Sequence, residues 1–165
     1  MRIFELEREQ RVARPRDRLF RFFSQPENLA LITPPDLGFR LLTPSPVEMR
    51  RGRLIDYRIR LMGLPVRWRP LISSYEPPQR FVDEQLLGPY SFWYHEHLFE
   101  SLDGGTLLID RVRYALPLAA GGPLGDALHS LCIRPSLERI FDYRREVFAS
   151  LFGAPAPTQS MRARA

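Results

Sequence analysis

Residues 91–117, SFWYHEHLFESLDGGTLLIDRVRYALP, decide how this chain folds. From Ser91 to Glu100 the residues alternate: Trp93, His95, His97 and Phe99 fall on one face, Tyr94, Glu96 and Glu100 on the other. That is the period of a strand with one wet face. Thr106 to Leu116 repeats it, setting Leu108, Asp110, Val112, Tyr114 and Leu116 against Arg111 and Arg113. Asp103-Gly104 stands between them, a dipeptide that favours a two-residue hairpin turn of type I′. With that turn His97 faces Asp110, His95 faces Val112 and Trp93 faces Tyr114. A three-residue loop would reverse the parity.

Working outward, Ile3 to Val12 also alternates and predicts a half-exposed first strand. Pro15 opens a helix with Leu19, Phe20, Phe22 and Phe23 on it; Pro26 stops it and starts a second short helix through Ile32. Further strands are expected at Phe39 to Thr43, Gly52 to Leu61, Val66 to Tyr75 and Phe81 to Leu87, divided by Pro- and Gly-rich links. Links this short hold no crossover helices, so neighbours run antiparallel in a meander. After Gly121-Gly122-Pro123 the period becomes helical, with Leu128, Leu131, Leu137, Ile140, Phe141 and Phe148, then Leu151 and Phe152, on one face. Pro135 should kink this long helix, Gly153 should end it, and residues 154–165 are expected to be a disordered tail.

The fold expected is therefore α+β: one domain over residues 1–153, a curved seven-stranded antiparallel sheet around a long C-terminal helix, with two short helices after the first strand. One helix cannot cover both faces of such a sheet, so the sheet curls around it, leaves its outer face wet and encloses a cavity.

Composition narrows the function. Hydrophobic residues make up 44% of the 165, enough for one core. No apolar run approaches the roughly 20 residues that span a bilayer, and Met1 to Arg14 has no signal-peptide core, so no integral membrane segment and a cytoplasmic location are expected. Cys132, without a second thiol, reads as a small buried hydrophobe. The net charge is +5, yet all 24 basic residues are arginines spread along outer strand faces, which points away from a nucleic-acid partner.

The chemistry concentrates on the inward faces. Ile55, Tyr57 and Ile59 share one face of their strand, opposite Asp56, Arg58 and Arg60. With Trp68, Trp93, His95, His97, Phe99 and the opposing Val112 and Tyr114, and with Leu137 and Phe141 of the helix, they make up the expected ligand-binding set. His95, His97 and Asp110 are the candidate catalytic residues. Three readings of this polar cluster stay open: a satisfied pair in a core, a few polar groups fixing a guest in an apolar pocket, or acid/base catalysis by a His/Asp pair. No metal and no cofactor is expected, since no further Cys or His supports a site and no nucleotide, phosphate or Ser-hydrolase motif occurs.

Several motifs carry a resemblance: Ile32-Thr33-Pro34-Pro35, Ile55-Asp56-Tyr57, Phe81-Val82-Asp83-Glu84-Gln85, Gly88-Pro89-Tyr90, Trp93-x-His95-x-His97-x-Phe99 and Phe141-Asp142-Tyr143-Arg144. With the element order up to about Gly153, they resemble the START-like superfamily with the helix-grip fold, also labelled SRPBCC, in a bacterial ligand-binding subgroup. The resemblance implies a hydrophobic cavity for lipid, isoprenoid, polyketide or aromatic molecules and no single activity. The expected function is binding of a small hydrophobic or amphipathic molecule. The alternatives are a cyclase, dehydratase or hydrolase using the His/Asp pair, or a regulatory interaction module.

Overall fold

The computed structural model describes residues 1–117 and 122–153; the tail at 154–165 lies outside the described residues. Alternating stretches form strands β1 (Phe4–Val12), β2 (Arg40–Leu41), β3 (Tyr57–Leu61), β4 (Leu64–Glu76), β5 (Arg80–Leu87), β6 (Phe92–Leu102) and β7 (Gly105–Ala115). They build one antiparallel sheet in the order β1-β7-β6-β5-β4-β3-β2. Helix α1 (Arg16–Phe23) and a 3₁₀ turn (Pro26–Ala30) follow β1, as expected, and a second 3₁₀ turn at Pro35–Leu37 is added. The chain then ends in α2 (Gly122–Leu128), a π-helical turn (His129–Ile133) and α3 (Arg134–Phe152).

The decisive hairpin has the expected register: His97 pairs with Asp110, His95 with Val112 and Trp93 with Tyr114. Its link is the two-residue Asp103-Gly104, but only Gly104 has a positive φ, so the turn is not of type I′. That geometry belongs to the β3–β4 link, where Met62 (φ 49°) and Gly63 (φ 79°) are both left-handed. Gly105 is required for another reason: a Cβ there would lie 2.2 Å from the carbonyl oxygen of Val12.

Two expected strands shrink. Of Phe39 to Thr43 only Arg40–Leu41 pairs as a strand; Leu42 and Thr43 instead donate their amides to the Asp56 carbonyl. Gly52 to Asp56 is held to β4 by scattered bonds, Gly52 N–H to Ile72 O and Ile55 N–H to Pro70 O, so the regular strand starts only at Tyr57. Pro70, which has no amide hydrogen, sits at a register shift in β4, and a second shift follows between Ile72 and Ser74. On the outer face Arg67 and Arg69 pair with Asp56, and Arg111 with Glu7.

The long helix is interrupted rather than simply kinked. The π turn immediately precedes Pro135, so the missing amide falls where the two α segments meet. Its extra residue also rotates the apolar face. Leu131, expected inside, is 76% exposed, and Leu128 and Leu151 are exposed as well. Cys132 is exposed rather than buried, while His129 takes the inward position.

Candidate functional site

Helices α1 and α3 pack on the β1-β7-β6 side of the sheet, α1 also reaching Phe81 of β5 and Tyr75 of β4, and over the rest of β5 to β2 they stand off. The gap is a cavity of about 160 Å³. Ile55, Tyr57, Ile59, Trp68, Trp93 and both strand histidines line it, with Leu137 and Phe141 from α3. Three residues of the expected set do not. Phe99 is packed among Phe20, Phe23, Phe81 and Phe148, where α1 meets β6. Val112 is buried beneath Leu6, Leu137 and Phe141. Tyr114 is buried too, its hydroxyl 2.8 Å from His129 Nε2, with Phe4 stacked on that imidazole at 3.6 Å. All three lie on or beside β7, where the sheet touches the helices and leaves no space.

The polar floor of the cavity belongs to a ring of four side chains, of which Asp83, His95 and His97 line the space and Asp110 lies behind them. The imidazoles of His95 and His97 lie side by side, centroids 3.8 Å apart and tilted by 39°, because residues two apart on a strand share a face. Asp83 on β5 bridges them at one end and Asp110 on β7 at the other. His97 Nε2–H donates to Asp83 Oδ2 at 3.0 Å, and His95 Nδ1 lies 3.5 Å from the same oxygen. His95 Nε2–H donates to Asp110 Oδ1 at 3.0 Å, and His97 Nδ1 stands 2.8 Å from it but out of line for a hydrogen bond. Arg144 of α3 approaches Asp110 Oδ1 at 3.5 Å, its guanidinium between the rings of Phe23 and Phe141.

Burial alone would raise both carboxyl pKa values. The hydrogen bond from His95, the close His97 imidazole and the Arg144 charge outweigh it and hold Asp110 well below the usual range. Asp83 is also held low, by the charges of the histidines, the His97 bond and the Trp93 indole N–H. The imidazoles split: burial and the neighbouring His97 charge push His95 down, whereas the two flanking carboxylates, Asp110 at 2.8 Å and Asp83 through its hydrogen bond, overcome burial and raise His97. Around the ordinary imidazole midpoint of roughly 6.5 the cluster therefore holds two carboxylates, the Arg144 guanidinium, the His97 imidazolium and a neutral His95. The charges cancel, which is what a dry site requires.

Asp83 and Arg144 were not among the expected site residues, although both stand in the quoted motifs. Strand parity from Phe81 would have turned Asp83 inward. With Asp83 included, the donor atoms of Asp83, His95 and His97 lie within 4.8 Å of one another, a set able to hold a divalent ion if it displaced the His97 proton.

A curled sheet gripping a long helix, with a cavity between them, is a helix-grip fold of the START/SRPBCC type. The chain superposes on the Zhui aromatase/cyclase from Streptomyces sp. R1128 with a TM-score of 0.70 at 16% identity, over 90% of this chain and 93% of that one. It is similar to the ginseng (Panax ginseng) major latex-like protein 151 at TM-score 0.65 and 11% identity, over 91% and 97%. A Chromobacterium violaceum protein matches at 0.68 and 15%, over 92% and 99%. No family model and no curated protein matches the chain. Among the described residues no helix is long and apolar enough to cross a membrane.

Proposed function

We propose that the chain binds a small hydrophobic or amphipathic molecule in the cavity between sheet and α3 and does not convert it. The observation that carries this reading is a mostly apolar, aromatic-walled space of about 160 Å³ inside a fold whose neighbours include an aromatase/cyclase and a latex-like protein. A cavity of roughly 150 Å³ holds a benzene-sized guest, so the size favours a ring over a long acyl chain.

Both tryptophans of the chain, Trp68 and Trp93, line the cavity, so their indole N–H resonances report on it. Toluene should shift both signals saturably, and native mass spectrometry of the purified protein should find a small molecule bound. Trp93→Ala should weaken binding by removing an aromatic wall, while Arg58→Gln on the outer face should leave it unchanged. Toluene without effect at its solubility limit would end the reading.

One observation favours a second reading. The opposed shifts of His95 and His97 set a neutral imidazole beside an imidazolium, the pairing that acid/base chemistry uses. Catalysis would appear as turnover of a bound carbonyl compound that His97→Gln and Asp110→Asn both bind but fail to convert.

A further inference from the structure

The polar atoms on the cavity floor are unequal in what they offer. Both imidazoles have their nitrogens turned toward carboxylates, and Asp110 is sealed with 5% of its side chain exposed. Asp83 keeps 17% of its side chain exposed. Because β5 lies inside the sheet between β4 and β6, and Asp83 lines the cavity, that surface faces the cavity. Its Oδ2 is taken by His97, but its Oδ1 accepts only the long 3.3 Å bond from Trp93 Nε1–H. A carboxylate oxygen has two lone pairs, so Oδ1 retains capacity for another donor.

Tyr57 stands across the same space. Among the described residues its hydroxyl has no hydrogen-bond partner, although the ring lines the cavity and stacks on Trp68 at 6.0 Å. Burial and the charge of Asp83 hold this phenol protonated, and both groups line the same cavity.

Resting on the ligand-binding reading above, we infer that the guest is a neutral, ring-sized molecule carrying a hydrogen-bond donor, an aromatic hydroxyl or N–H, which Asp83 Oδ1 accepts while the ring lies among Tyr57, Trp68 and Trp93. Acids are disfavoured for a definite reason. The cluster is already neutral, and a guest carboxylate would meet Asp83 as a like charge in a site with little water. Arg144 also lines the cavity and its Nε has no partner among the described residues, but its charge is set against Asp110 at 3.5 Å and its guanidinium is packed between Phe23 and Phe141, so benzoate is the probe that tests it.

Four probes of similar size separate the possibilities: phenol, anisole, toluene and benzoate, each titrated into the full chain while the two indole resonances are followed. Phenol should bind at least about tenfold more tightly than anisole and toluene, since a hydrogen bond to a charged acceptor is worth that much or more. It should also move the Trp93 signal most, because that N–H shares Asp83 Oδ1 with the guest. Benzoate should not bind. Asp83→Asn should bring phenol toward the affinity of toluene, whose own affinity stays the same; if that variant fails to fold, the wild-type series still decides. Anisole or toluene binding as tightly as phenol overturns this inference and leaves the apolar cavity standing. Benzoate binding most tightly overturns it in favour of an anion receptor. None of the four binding overturns both readings.

Discussion

The two halves of the sheet are built differently. β1, β7 and β6 pair without interruption, from Phe4 opposite Tyr114 to Val12 opposite Thr106 and from Phe92 opposite Ala115 to Leu102 opposite Gly105. Their inner face is closed by Phe20, Phe23 and Phe148 from the helices. The half from β5 to β2 has register shifts in β4, a two-residue β2 and an irregular approach to β3. Together with Trp93, His95 and His97 of β6, it is also the half that lines the cavity. Bulges bend a strand and increase its twist, so the irregular half curls off the helix while the regular half lies flat beneath it. Stability and function are thus assigned to different strands, with the four-residue ring on the seam.

This division is open to attack by substitution. Phe99→Ala in the closed half should cost about 3–5 kcal/mol in urea unfolding, as for a large ring removed from a tight core. Ile59→Ala should cost only about 2 kcal/mol, because one side of Ile59 already faces open space. Equal costs would mean the hollow half is as tightly packed as the other. On the seam, Asp110→Asn strips the counter-charge from His97 and Arg144 and should cost about 3 kcal/mol. The same change should lower the His97 titration midpoint in imidazole NMR; a midpoint that did not move would deny the coupling.

The pH dependence has a definite sign. Asp83 and Asp110 have depressed folded values, so the stability they contribute is present above the unfolded value of roughly 4 and is lost on further acidification. His97, raised, contributes stability that is full below roughly 6.5 and lost as pH rises through its folded value. His95, lowered, contributes the opposite: stability present above roughly 6.5 and lost as pH falls through its folded value. The two windows meet at roughly 6.5, so unfolding free energy should peak there, decline on either side, and fall further below about pH 4, a fall that Asp110→Asn should blunt. The smallest effect belongs to the β3–β4 link. Met62 sits at a positive φ that asparagine tolerates better, so Met62→Asn should raise stability by about 1 kcal/mol without touching the cavity.

Legibility in the sequence follows the same division. The β6–β7 register could be read because period-2 alternation and a two-residue link leave one solution. Asp83 was readable from its parity with Phe81 but lacked a partner until β5 was known to lie beside His97. Arg144 was hidden because an apolar stripe is counted in leucines and phenylalanines, and a buried arginine has no period. The π turn was not legible either. It adds a single residue, and Leu131 was credited to the wrong side for that reason, while Cys132 was read as buried from its chemistry alone and not from its place on the helix. Phe99, Val112 and Tyr114 share the inward face with His95 and His97, and alternation tells face from face but not a wall from a filled core.

The sheet remains open, with β1 at one edge and β2 at the other. An unpaired edge invites a strand from another molecule. β2 is too short to serve as a template. β1 is nine residues long, and the exposed Glu5, Glu7, Glu9 and Arg11 alternate along it, while Arg8 and Gln10 reach across to Glu138 and the Arg145 carbonyl of α3. The charge alternation that marks β1 as a half-wet strand therefore also disfavours the addition of a further strand along this edge. Neutral β-branched residues at Glu7 and Glu9 would leave the fold intact and give the molecule an adhesive margin.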